Sequence, residues 1–125
     1  MSEYPKFEDL KGKTLAKVEV ADDRETITLA TTDGDTFRMY HSQDCCESVR
    51  VEDVNGDLAD LIGSPLLQAE EVTSRENPEG VTKEYQDSFT WTFYKLATIK
   101  GSVTIRWYGE SNGYYSESVD FAKVA

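Results

Sequence analysis

With 125 residues, the chain is long enough for one domain around one core and too short for two. Hydrophobic residues at 38% and charged residues at 30% fit a soluble globular protein, and the sequence has no run of about 18 apolar residues that could span a membrane. The net charge of -11 argues against non-specific binding to a nucleic-acid backbone, where Lys and Arg must displace counterions. It permits a basic protein partner. It also permits a small anionic ligand held by one pocket arginine, because charge is screened over about 8 Å.

The start, MSEYPKFEDL, lacks a basic segment followed by an apolar one, so it does not read as a secretory signal. A cytoplasmic, reducing environment is the expectation. Met1 to about Lys6 is expected to be a flexible lead into one domain spanning residues 1–125.

After a short opening at Phe7–Leu10, the pattern runs in period two. The stretch TLAKVEV would place Ala16, Val18 and Val20 on one face, and ETITLATT would place Ile27 and Leu29 inward. Asp33-Gly34 is a hairpin signal, since its turn needs positive φ. DTFRMYH then alternates Phe37 and Met39 with Arg38 and Tyr40, which completes an antiparallel meander. HSQDCCESV leads into VRVEDV, a short strand. Asp57 is placed to cap a short helix carrying Leu58, Leu61 and Ile62, ended by Gly63 and Pro65.

LLQAEEV reads as a further strand, and RENPEGVTKEYQDS as a polar loop. SFTWTFYKLAT carries Phe89, Trp91 and Phe93 on one face, with Tyr94 and Leu96 on the other. GSVTIRWYG sets Val103, Ile105 and Trp107 against Thr104, Arg106 and Tyr108. A turn at SNG leads to a last strand, YYSESVDFAKV. The fold expected is mainly β, of α+β type: a single antiparallel, strongly bent sheet with one or two short helices.

HSQDCCESV concentrates chemistry, with the single histidine His41, both cysteines, Asp44 and Glu47. Thiolate and imidazole suit zinc, but adjacent cysteines point apart and no second His or Cys pair exists, so no metal site is expected. Neighbouring cysteines would form a strained ring, and the compartment is reducing, so no disulfide is expected either. A cysteine nucleophile with His41 as base has the right residue types but no orienting group or oxyanion hole. The better reading is a tight bend in which one cysteine packs as a small apolar residue and Ser42, Gln43 and Asp44 cap the backbone. His41 and Glu47 are then candidates for the rim of a ligand site. Asp53–Asp57 fails as a calcium loop, because Leu58 and Ser64 stand where glycine and glutamate are needed.

RWYGESNGYYSE gathers Arg106, Tyr108, Asn112 and Tyr114 on one hairpin, with Trp91 on the strand before it. Aromatic rings beside a guanidinium offer stacking area, a cation and polar contacts to a flat base or a phosphate. A half-buried strand face and a subunit interface fit the same composition.

The strings YHSQDCCESV, GDLADLIGSPLLQAEEV and SFTWTFYKLATIKGSVTIRWYGESNGYYSESVDF resemble a family of small uncharacterised bacteriophage and prophage proteins, over roughly residues 12 to 122. The family is a domain of unknown function. A more distant resemblance is to the phage Thoeris anti-defence sponges, small oligomeric β-rich proteins that bind cyclic ADP-ribose signals without cleaving them. That resemblance implies a counterpart site at Arg106 and its aromatic hairpin, with Asn112 as a polar contact. The function expected is a phage-encoded, non-enzymatic, homo-oligomeric protein that sequesters a nucleotide-derived signal in the host cytoplasm. It would need no cofactor and would contact neither nucleic acid nor membrane. The alternatives are an acidic DNA mimic that inhibits a host or CRISPR-type defence protein, or a phage accessory protein. The carboxylates from Glu47 to Glu71 would form the mimic's surface.

Overall fold

The structure, a computed structural model, describes residues 5–43, 46–78, 88–113 and 116–124. The strands are β1 (Leu15–Val20), β2 (Thr26–Thr31), β3 (Thr36–Tyr40), β4 (Ser48–Asn55), β5 (Gln68–Ser74), β6 (Ser88–Thr98), β7 (Gly101–Ser111) and β8 (Asp120–Lys123). They form two four-stranded antiparallel sheets, ordered β1-β2-β3-β8 and β4-β7-β6-β5. This corrects the expectation of a single bent sheet. The meander of β1 to β3 has its own partner in β8, and β4 pairs with β7 instead of extending the meander. Nor is there an α-helix among the described residues. The two helical pieces, Phe7–Leu10 and Leu58–Leu61, are single 3-10 turns. The Asp57 side chain caps the second as expected, accepting from the Ala59 amide at 3.0 Å.

Both sheets send their inner faces into one hydrophobic cluster. Ile27, Leu29, Phe37 and Met39 come from the first sheet, and Val49, Val51, Leu96, Val103, Ile105 and Trp107 from the second. The alternation of β2, β3 and β7 therefore reads true. β1 departs from it. A register shift between Leu15 and Lys17 puts Leu15 in the core and leaves Ala16 exposed, while Val18 and Val20 are half-buried.

A second irregularity, between Val51 and Asp53 in edge strand β4, is met from the first sheet. The Val51 amide donates to the Arg24 carbonyl at 2.7 Å, and the Arg24 guanidinium donates to the Glu52 carbonyl at 3.0 Å. Arg24 holds a left-handed φ of 61° to do this, the only non-glycine with positive φ among the described residues. The edge strand and the β1–β2 turn are thus clamped together. Arg24→Ala keeps the carbonyl bond but loses the guanidinium bond. It should lower unfolding free energy by about 1 kcal/mol in urea denaturation, with unchanged far-UV circular dichroism.

Among the described strands, the chain passes between the sheets twice, from β3 to β4 and from β7 to β8. The two crossings lie side by side. The second one presses onto β7 at Gly109, where a Cβ would come within 2.5 Å of the Glu117 carbonyl oxygen. A strand position with neighbours this close admits only glycine. Gly109→Ala should therefore destabilise by more than about 1 kcal/mol, read as a lowered melting temperature.

Candidate ligand-binding cleft

In β6 the inner-face row is Ser88, Thr90, Thr92, Tyr94 and Leu96, and its character changes along the strand. Leu96 and Tyr94 belong to the core, whereas Ser88 and Thr90 are half-buried hydroxyls. On β5 the inner-face partners are Glu71 opposite Tyr94 and Thr73 opposite Thr92, and both are exposed. The apolar filling stops there, and a cleft of about 470 Å³ opens between this end of the sheet and residues 116–119. That volume falls within the usual range for ligand sites, roughly 300–1,000 Å³.

Two carboxylates are fixed in the cleft by protein hydroxyls. Glu117 accepts from Thr90 Oγ1 at 2.8 Å and from Ser111 Oγ at 2.5 Å. Burial pushes its carboxyl up, but the hydroxyls of Ser111, Ser88 and Thr90, with Arg75 nearby, outweigh that and hold it below the ordinary value. Glu71 accepts from the buried Tyr94 hydroxyl at 2.7 Å. Burial, then the bond to Glu71, pushes that phenol far up, so it stays a donor. An exposed carboxylate oriented by a buried phenol is a preorganised acceptor. With the hydroxyls around it, the cleft offers a dense set of hydrogen-bonding groups and, among the described residues, the cation Arg75.

None of the ligand-binding residues put forward from the sequence and described by the structure lines this cleft; of the carboxylates put forward for an acidic mimic, Glu71 does. The ligand-binding candidates fall into two groups elsewhere. Trp91, Arg106 and Tyr108 lie on the outer face of the second sheet, where Trp91 opposes Tyr108 and Phe93 opposes Arg106. Trp91 and Tyr108 meet at 4.8 Å between ring centroids, Trp91 stacks on Phe93 at 6.2 Å, and the Arg106 guanidinium sits 5.7 Å over Trp91. The rings spend their faces on one another. Trp91 is fully buried, and its indole N–H donates to Asn77 Oδ1 at 3.0 Å. Arg106 is held in a two-pronged pair with Asp53, with Nε donating to Oδ1 at 2.6 Å and Nη2 pairing with Oδ2. That pair raises the Arg106 guanidinium and lowers the Asp53 carboxyl. The cation intended for a phosphate already has its anion. Asn112 is exposed in the turn after β7, and Tyr114 lies outside the described residues.

The second group is His41 with Glu47. Nε2 of His41 lies 2.8 Å from Glu47 Oε2, with the two side chains 4% and 0% exposed. Nδ1 lies 2.7 Å from the Ser118 carbonyl. Gln43 Nε2 donates to Glu47 Oε1 at 3.2 Å and to its carbonyl at 2.5 Å. His41 and Glu47 thus build the bend, and a cleft of about 380 Å³ lies beside them.

Cys46 is exposed and disulfide-bonded, which corrects the expectation that no disulfide forms; Cys45 lies outside the described residues. The two ring nitrogens of His41 face the Ser118 carbonyl and the Glu47 carboxylate. No group of three His, Cys, Asp or Glu side chains among the described residues is placed to hold a metal ion.

The hydroxyl row was readable in principle. Ser88, Thr90 and Thr92 share the parity of Tyr94 and Leu96, so an inward face with a polar end is written in SFTWTFYKL. The partner Glu117 gave no such signal, because its contact spans 27 residues and needs the second crossing to fold back.

Fold and cleft together describe a small two-sheet β protein with a polar, ligand-sized opening at one end. The profile of one family, the Domain of unknown function (DUF7448), matches residues 8–121, and the chain belongs to that family. No curated protein and no solved structure matches it.

Glu117→Gln replaces an acceptor of several hydroxyls with an amide. It should cost about 1–2 kcal/mol near neutral pH. Because the folded carboxyl is held below its ordinary value, its contribution is present above that value and is lost as pH falls through the depressed one. Urea unfolding at neutral and acid pH should therefore show the variant's deficit narrowing on acidification.

Proposed function

We propose that this protein is a non-enzymatic binding protein that sequesters a small, hydroxyl-rich ligand in the cleft between β5, β6 and residues 116–119. The observation that carries the reading is the switch of the inner sheet face from apolar core to oriented hydroxyls and carboxylates. Folding alone favours apolar residues on that face. Polar groups there are held in place for something that hydrogen-bonds.

The ligand class follows from the charges. Among the described residues of the lining, Glu71 and Glu117 stand against Arg75, which favours hydroxyl donors over a phosphate. A carboxylate paired with hydroxyls suits a ribose, as in the acidic residue that holds the ribose of dinucleotides. A nucleotide-derived signal would be recognised through its ribose edge, leaving phosphates toward solvent. The resemblance of HSQDCCESV and SNGYYSE to phage and prophage proteins supports placing this role in counter-defence, in the cytoplasm of an infected host. The sponge resemblance supports a homo-oligomer, whose subunit count native mass spectrometry reads directly.

An acidic DNA mimic draws less support. Glu47 is buried against His41, Asp53 is paired with Arg106, and Asp57 caps a turn, so these carboxylates serve the fold.

Thermal-shift assays with cyclic ADP-ribose isomers, ADP-ribose, adenosine, ribose and inorganic phosphate test the proposal. Stabilisation by one or more ribosyl compounds is expected, with no response to phosphate. Glu71→Gln and Thr90→Val should each weaken that response about tenfold or more, with the fold retained. The bound compound should be recovered chemically intact. A response to phosphate alone, or one indifferent to both substitutions, would refute the assignment.

A further inference from the structure

The cleft wall formed by residues 116–119 is held from two sides. On the cleft side Glu117 takes the Thr90 and Ser111 hydroxyls. On the far side the Ser118 carbonyl accepts from His41, the single histidine of the chain. Just beyond, the Ser42 amide donates to Asp120 Oδ2 at 3.0 Å, which ties the two crossings a second time.

The hydrogen bonds of His41 dictate its protonation. A carbonyl only accepts, so Nδ1 must carry a hydrogen. Nε2 faces a carboxylate oxygen of Glu47 in a nearly dry site. Both bonds are made at once, with Glu47 ionised, only when the imidazole carries both protons. Removing one leaves either the carbonyl or the carboxylate opposite a lone pair, and it leaves the buried carboxylate without its counter-charge. We propose that His41 and Glu47 form a proton-operated latch on residues 116–119, closed while the imidazole is charged and released on deprotonation, which sets the geometry of the cleft wall.

The surrounding groups agree on the sign. Glu47 precedes β4, Asp120 opens β8, and Asp23 and Glu25 lie on the β1–β2 turn beside the same small cleft, against Arg38 and Tyr40 on β3. Burial pushes the imidazole down. The bonds to Glu47 and Ser118 and the charges of Glu47 and Asp120 outweigh that and raise it above the ordinary 6.5. For a histidine raised on folding, the stabilisation is complete below the unfolded value and is lost as pH rises through the folded one. The latch therefore holds in mildly acidic solution and opens on the alkaline side of 6.5. It relies on the proposed binding site only for the consequence that an open latch weakens ligand capture.

The test uses the ligand-free protein, so its failure is separate from failure of the binding assignment. With one histidine, every imidazole signal in a nuclear magnetic resonance titration belongs to His41. The expected result is a midpoint above 6.5, with the amides of Glu117, Ser118 and Val119 shifting at the same midpoint and exchanging about tenfold faster beyond it. In Glu47→Gln the midpoint should fall and those amides should lose their pH response. An imidazole that titrates while the amides stay fixed would overturn the latch, as would an imidazole that keeps one protonation state from pH 5 to 9.

Discussion

The two passages of the chain between its sheets meet at one imidazole. His41 sits in the first crossing and bonds the backbone of the second through Ser118, while its other nitrogen is balanced by Glu47 at the entry to β4. Around this contact the rest of the site falls into place. Residues 116–119 are set at a fixed height over β7, Gly109 leaves room for them, and Glu117 reaches the hydroxyls of β6 and β7. Two hydrophobic sheets would pack without this arrangement, since their cores interleave over β2, β3, β6 and β7. What the crossings add is a wall, and with it a cleft.

The opposite flank is closed by simpler means. The Gly12 amide donates to the Leu66 carbonyl and the Leu66 amide to that of Lys13, each at 2.8 Å, which joins the approach to β1 with the approach to β5. Main-chain bonds need no particular side chains. The end that does need them, with His41, Glu47, Gln43 and Glu117, is the end with the opening. Side-chain bonds also serve the opposite flank, where Lys100 Nζ donates to the Ile62 carbonyl at 2.6 Å, but it is at the open end that oriented polar side chains face a cleft.

Much of the fold was legible. The alternation of Ile27 with Leu29, of Phe37 with Met39, and of Val103 with Ile105 and Trp107 placed these residues correctly. Asp33-Gly34 made its hairpin, with Gly34 at φ 98°. The division into two sheets was not legible, because nothing local in VRVEDV says whether β4 follows β3 or joins β7. The site was half legible. Composition singled out HSQDCCESV and RWYGESNG, and both hold dense polar or aromatic networks, yet composition cannot show that a residue is already satisfied. Arg106 pairs with Asp53 across a strand boundary 53 residues away in sequence, and Trp91 is covered by its own neighbours. Abundant chemistry in a linear stretch pointed to structure, and an unremarkable row of Ser and Thr pointed to the cleft.

Residues 116–119 form one unit held jointly by His41 and Glu117. A double-mutant cycle on His41→Gln and Glu117→Gln, measured by urea unfolding at pH 6, tests this most directly. A coupling energy of about 0.5–3 kcal/mol is expected, as found for groups sharing one network. Additive losses would show that the two anchors act independently and that the wall is not a single element.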